Sequence, residues 1–249
     1  MPRQYAFGTG VLFAQSTMNA SANPIEFGSI QSVTFDFTWT TKSLFGQYAI
    51  AQAIGRGTGK LTGKASVAQF NAQIFNDIFL GNAMPSANKA IHTAVNELQT
   101  VATGNATCNH PNSFIADLGV FYSSNGGLLT YVASGPTGDQ YTTAANGVYV
   151  FNTSLNGAKV FLSYTFQNTG NLGTGTNIPW SNNLIGAAPE FSLVFNTQFN
   201  GQAATLIFNA CTSTKLSIAT KIEDFTIPDF DFEIKADSSN TIGSLNFDQ

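Results

Sequence analysis

Charge is scarce in this chain. Asp, Glu, Lys and Arg make up 10% of its 249 residues, against roughly 25% in an average soluble domain. The surface is therefore left to Asn, Gln, Ser, Thr and Gly. A surface with so little like-charge repulsion favours association. The formal net charge of −4 excludes a general nucleic-acid binder. Cysteine and histidine are nearly as scarce, with two of each. Cys108 and Cys211 can pair or stay as buried thiols, but two cysteines make no disulfide framework. Cys108, His110 and His92 fall short of the four N/S ligands of a usual zinc site, so no metal and no cofactor is expected. No apolar run approaches the ~20 residues of a membrane span. The apolar stretch Tyr5 to Ala14 is broken by Gly8-Thr9-Gly10, and no small-x-small cleavage site follows it. A signal peptide is not expected, which points to synthesis in a cytoplasm.

Catalytic signatures are missing as well. There is no G-x-S-x-G, and neither histidine sits in a recognisable nucleophile–base–acid arrangement. Gly55-x-Gly57-x-Gly59-Lys60 superficially suggests a phosphate loop. It lacks the G-x-x-x-x-G-K-[ST] spacing, because Leu61 follows the lysine. Asp229, Asp231 and Glu233 lie at spacing two, within reach of carboxylate-pair geometry on a strand. Their context reads instead as a solvated strand face. The chain is not expected to be an enzyme.

What remains is apolar and patterned for sheets. Hydrophobic residues make up 43%, with 22 Phe, so the chain is not disordered. From Ser32 to Thr40, Val33, Phe35, Phe37 and Trp39 alternate with Thr34, Asp36, Thr38 and Thr40, the period-two signature of a half-buried strand. A second strand is expected over Lys60 to Val67. Between them, Thr41 to Gly59 reads as a long, glycine-rich connection, far longer than a hairpin needs. Its apolar Leu44, Phe45, Tyr48, Ile50 and Ile54 mark it as an arm that wants a surface to land on. Ser66 to Leu80 is the best helix. Val67, Phe70, Ile74 and Ile78 form its stripe, Phe75 and Phe79 widen it, and Gly81 stands at the C-cap position.

Strands then dominate. Glu97 to Val101 is a short candidate. Phe114 to Ser123 turns at Asn125-Gly126-Gly127 into Leu128 to Ala133. Gly147 to Phe151 and Lys159 to Phe166 flank Asn156-Gly157, and Glu190 to Asn200 returns through Ala203 to Ala210. Gln167 to Asn177 reads as a loop. Pro228 to Ala236 alternates Phe230, Phe232 and Ile234 with Asp229, Asp231, Glu233 and Lys235. One face is buried and the other acidic. Seven of the fourteen acidic residues fall between Glu223 and Asp248. Arg56, Lys60 and Lys64 share one strand face and are candidates for charges between subunits. The fold class expected is mainly β, an antiparallel sandwich or barrel-forming sheet with one flanking α-helix over residues 66–80, in one continuous domain spanning 1–249.

The order and spacing of these segments resemble the major tail tube protein family of tailed bacteriophages. FGTGVLFA, FGSIQSVTFDFTW, KSLFGQ with GRGTGKLTGKASVAQFNAQIFNDIFLG, NELQTV, DLGVFYSSNGGLLTYVAS, GVYVFN, KVFLSYTF and TKIEDFTIPDFDFEIKAD carry the resemblance over most of the chain. It implies a β-sandwich flanked by a helix. Six copies would form a ring whose sheets join into one barrel, and rings would stack into a tube through which phage DNA passes without specific binding. It implies an arm at 41–59 reaching a neighbouring ring or subunit, contacts with other tail proteins at the tube ends, and a place in the virion tail with no membrane insertion. Asp229, Asp231 and Glu233 would then face the lumen or a subunit boundary. The related tube of a contractile secretion system shares the fold. A lectin-like or adhesin β-sandwich binding surface glycans is the alternative, supported by the Asn, Thr and aromatic content with Trp39 and Trp180.

Overall fold

The computed structural model describes residues 8–18, 23–69, 72–82, 89–144, 146–168, 175–182, 184–186 and 188–248. It is mainly β with antiparallel sheets and no closed barrel. Where the sequence reading has one continuous domain, contacts fall into two compact units. Unit 1 comprises residues 1–84 and 178–249, and unit 2 comprises 85–177.

Unit 1 is built on one sheet. Along it run β2 (Ile25–Phe27), β1 (Val11–Ser16), β12 (Glu190–Phe199), β13 (Gln202–Ser217), β14 (Asp229–Lys235), β4 (Ala53–Val67) and β3 (Ile30–Leu44), with β15 (Gly243–Phe247) also on β13. β12 turns into β13 at Asn200-Gly201, both at positive φ (52° and 80°), the backbone that a two-residue hairpin demands. The sheet curls so that strands distant along its path meet. Phe35 of β3 packs against Phe195, Phe208 and Phe232 of β12, β13 and β14, with ring centroids 5.3–6.2 Å apart. Phe27 of β2 reaches Phe230 at 5.6 Å. The core is thus the alternating apolar set of each strand, folded onto itself and closed by Ile74 and Ile78 of a short helix.

That helix is shorter than expected. β4 runs on to Val67, so Ser66 and Val67 are strand residues. The helix proper, Ile74–Leu80, takes π geometry. Phe70 of the expected stripe lies outside the described residues. β4 keeps Ser66 because its hydroxyl bonds Asp229 at 2.5 Å and its backbone pairs with β14. Gly81, at φ 68°, caps the helix with its N–H on the Asn76 carbonyl.

Unit 2 stacks two small sheets. One orders β5 (Ile91–Thr100), β11 (Lys159–Gln167) and β7 (Phe114–Tyr122). The other orders β6 (Asn105–Thr107), β10 (Val148–Phe151), β9 (Gln140–Thr143) and β8 (Thr130–Tyr131). Two expected hairpins are corrected here. Asn156-Gly157 joins β10 to β11, but the two strands belong to different sheets, so the turn is a crossover. After Asn125-Gly126-Gly127 the chain bridges β7 only at Phe121–Leu128, then gives β8, which pairs parallel to β9. The core is rich in tyrosine. Asp117 accepts from the hydroxyls of Tyr141 (2.6 Å) and Tyr149 (3.0 Å), and Glu97 from that of Tyr164 (2.6 Å). His110 lies flat on Phe166, with centroids 3.8 Å apart.

Candidate assembly surface

The arm is the main correction. Thr41 to Gly59 is not a loop. It is the outer part of a long β-hairpin in which β3 and β4 pair from Ile30–Val67 to Leu44–Ala53. β14 accompanies β4 only as far as Leu61. Beyond it the two strands have only each other, for about 20 Å at ~3.3 Å per residue. Of the glycines that suggest flexibility, Gly55, Gly57 and Gly59 are strand positions and Gly46 lies in the turn between the strands. A Cβ at Gly59 would lie 2.7 Å from the Trp39 indole nitrogen, and one at Gly57 would lie 2.4 Å from Thr40 Oγ1. Each glycine lets a cross-strand side chain lie over the backbone. The Arg56 guanidinium sits 4.6 Å from the Trp39 ring centroid. Thr38 Oγ1 donates to the Lys60 carbonyl at 3.1 Å, and the Gln52 amide donates to the Leu44 carbonyl at 2.8 Å to close the turn.

A two-stranded ribbon alone is marginally stable in water, and this one is unusually apolar at its end. Leu44, Phe45, Tyr48, Ile50 and Ile54 are 59–82% exposed. The expected apolar arm residues are thus together and unburied by their own chain. β3 pairs with no strand but β4 among the described residues, so beyond Ile30, whose carbonyl accepts from Thr9 Oγ1, its outer edge has no strand partner.

The expected acidic face and two of the three expected intersubunit cations, Lys60 and Lys64, form one cluster, while Arg56 does not share their face, because the register shift between Trp39 and Thr41 brings it over Trp39. Antiparallel register sets Asp231 opposite Lys64, and Glu233 opposite Thr62 beside Lys60. Lys60 bonds Glu233 at 2.7 Å, and Lys64 bonds Asp229 at 2.8 Å. The Lys64 hydrogen bond, aided by Ser66, holds the Asp229 carboxyl below its ordinary value, and Asp229 in turn raises Lys64. Lys235 pairs with Glu190. Lys60 and Lys64 are therefore committed within the chain, while Arg56 rests on Trp39. Around this ladder Asp36, Asp229, Asp231 and Glu233 stand against Lys60, Lys64 and Lys215. Four carboxylates face three ammonium groups, leaving one negative charge in excess. The face is close to balanced rather than acidic, because the strand that supplies the carboxylates lies between strands that supply lysines.

A feature the sequence reading missed lies beside the helix. Phe75, Phe79 and Leu80 line an apolar groove of about 240 Å³ with Trp180, Leu216 and Ile218. Trp180 stands edge-on to Phe79 at 6.4 Å and is 78% exposed. Only the helical spacing of Phe75 and Phe79 signalled it. Trp180 arrives from a polar segment far away in sequence.

Both cysteines are buried free thiols, and burial pushes Cys211 up to about 12. Among the described residues no cluster of His, Cys, Asp and Glu is placed to hold a metal ion, and no helix is long and apolar enough to cross a membrane. No protein-family model and no curated protein matches the chain.

Proposed function

We propose that the protein is a self-assembling structural subunit. In this reading it forms rings of six that stack into a tube of the tailed-phage type, through which DNA passes into the host. It works by shape rather than by catalysis. The observation that carries the reading is the projecting ribbon. A two-stranded arm about 20 Å long, with five large apolar side chains at its end, is costly to leave in water. A partner surface offsets that cost, and the most economical partner is another copy.

Two further features support the reading. The long free edge of β3 invites a strand from a neighbour, and pairing around a ring removes such edges. A head-to-tail contact of this kind closes in one direction and repeats without limit along the axis. The charge-balanced sheet face suits a conduit wall. DNA binds where lysines release its counterions, and here Lys60 and Lys64 are neutralised by their own strand neighbours. The tube would be part of the virion tail, assembled in the host cytoplasm and joined to other tail proteins at its ends.

Negative-stain electron microscopy of the purified chain at high concentration tests this. Rings or tubes on the order of 10 nm wide are expected, from stacked-sheet dimensions. A protein that stays monomeric at every concentration overturns the proposal, and a small defined oligomer that binds glycans replaces it with the lectin reading.

A further inference from the structure

We infer that the groove beside the π-helix is the socket for the arm of a second copy of this chain. The inference rests on the assembly reading and gives it an address. Its two halves are observed independently. The arm end from Leu44 to Ile54 carries no charged residue and exposes its five large apolar side chains. The groove is walled by Phe75, Phe79, Leu80, Trp180, Leu216 and Ile218, again without a charge. At the arm tip Ile50 is 82% exposed, and at the groove Trp180 is 78% exposed.

Size and charge favour a copy of the chain as the occupant. A groove of about 240 Å³ takes the tip of the arm, and the arm's whole exposed apolar area, on the order of 700 Å², approaches the ~800 Å² per partner of a stable interface when the surface around the groove is covered with it. Aromatic walls and an aromatic insert are the composition of an interface centre. The shoulders agree in charge. Lys42 and Arg56 flank the apolar end of the arm, and the segment that follows Ile218 in sequence carries Glu223 and Asp224 against the one cation Lys221, a net negative charge. Asp224 is paired only loosely with Lys221, at 3.9 Å. The docking is heterologous, arm of one copy into groove of the next, so it propagates along a stack.

Mixed cross-linking tests it. Ile50→Cys and Trp180→Cys are made in separate chains. The native cysteines stay in place because both are buried. The two variants are mixed under assembly conditions and oxidised mildly. A disulfide joining positions 50 and 180 can then form only between copies. Ile218→Cys serves as a second groove variant should loss of the indole weaken docking, and Val95→Cys, an exposed apolar position in unit 2, is the control. At least tenfold more cross-link to position 180 or 218 than to 95 is expected. Equal yields at all three positions overturn the socket. So does an absence of cross-link in samples where microscopy finds rings or tubes, and in that case the assembly reading stands. Absence of both cross-link and particles removes the socket and the assembly reading together.

Discussion

The two units bury their sheets by different chemistry. Unit 1 is held by phenylalanine. Phe27, Phe191, Phe208, Phe230 and Phe232 are at most 2% exposed and stack on one another across a curled sheet. Unit 2 is held by tyrosine. Tyr141, Tyr149 and Tyr164 are buried with their hydroxyls on Asp117 and Glu97. An apolar core loses stability through cavities. A core with buried hydroxyls loses it through unmet hydrogen bonds and through pH. The arm, groove and balanced ladder all belong to unit 1, whose core is held by apolar packing rather than by buried hydroxyl–carboxylate bonds.

The largest effect expected is on the unit 1 core. Phe232 touches Phe35, Phe191 and Phe230, and its ring covers Gly63, where a Cβ would fall 2.2 Å away. Phe232→Ala should cost roughly 3–5 kcal/mol. Hydrogen exchange should locate the loss in residues 1–84 and 178–249. Equal loss of protection in unit 2 would break the distinction between the cores.

Next comes Asp117→Ala, which leaves two buried tyrosine hydroxyls and the Gly119 amide, 3.1 Å from the carboxylate, without their acceptor. About 2–4 kcal/mol should be lost, now confined to unit 2. A loss below ~1 kcal/mol in a denaturant titration would mean that water replaces the carboxylate and that the core is less closed than described.

The same chemistry gives a pH signature. Burial first, and the neighbouring carboxylates second, raise Tyr141, Tyr149 and Tyr164 well above the ordinary tyrosine value. Burial and Asp139 push Tyr122 up to about 12. The fold therefore favours the neutral phenols. Their contribution is complete below the unfolded value of ~10 and is lost as pH rises above it. Unit 1 holds a single strongly raised group among the described residues, Cys211. Exchange protection should fall more steeply in unit 2 than in unit 1 above about pH 10. Parallel loss in the two units would contradict the account.

The smallest effect concerns the ladder. Lys64→Ala should change stability little near neutral pH, since its pair with Asp229 is half exposed and screened by water. Asp229 is depressed by Lys64 first and Ser66 second. Its contribution is present above the unfolded carboxylate value and is lost as pH falls through the folded one. The variant should flatten that acid limb, as read by a stability–pH series. An unchanged limb would show that Ser66 alone holds the carboxylate.

These contrasts also mark what the sequence could reveal. Alternation made β3 and β14 legible, and Asn200-Gly201 marked a true hairpin, because period and turn chemistry are local. The arm was legible in its apolar residues but not in its form. Gly55, Gly57 and Gly59 read as flexibility until Thr40 and Trp39 are seen lying over two of them. Asn156-Gly157 looked like Asn200-Gly201, yet it connects two sheets, since sheet membership depends on distant partners. The acidic strand was read alone, and only register brings Lys60 and Lys64 beside it. The groove joins Phe79 to Trp180 across a hundred residues, and no local pattern carries such a contact.

The account rests on the arm, and shortening it is the most direct test. Residues 39–59 are replaced by an Asn-Gly turn, which joins the paired Thr38 and Lys60 without changing the register, and both proteins are run in sedimentation velocity over a concentration series. The shortened protein should keep its fold by circular dichroism and sediment as a monomer or single ring at concentrations where the full chain forms long particles. Long particles from the folded, shortened chain would contradict the account.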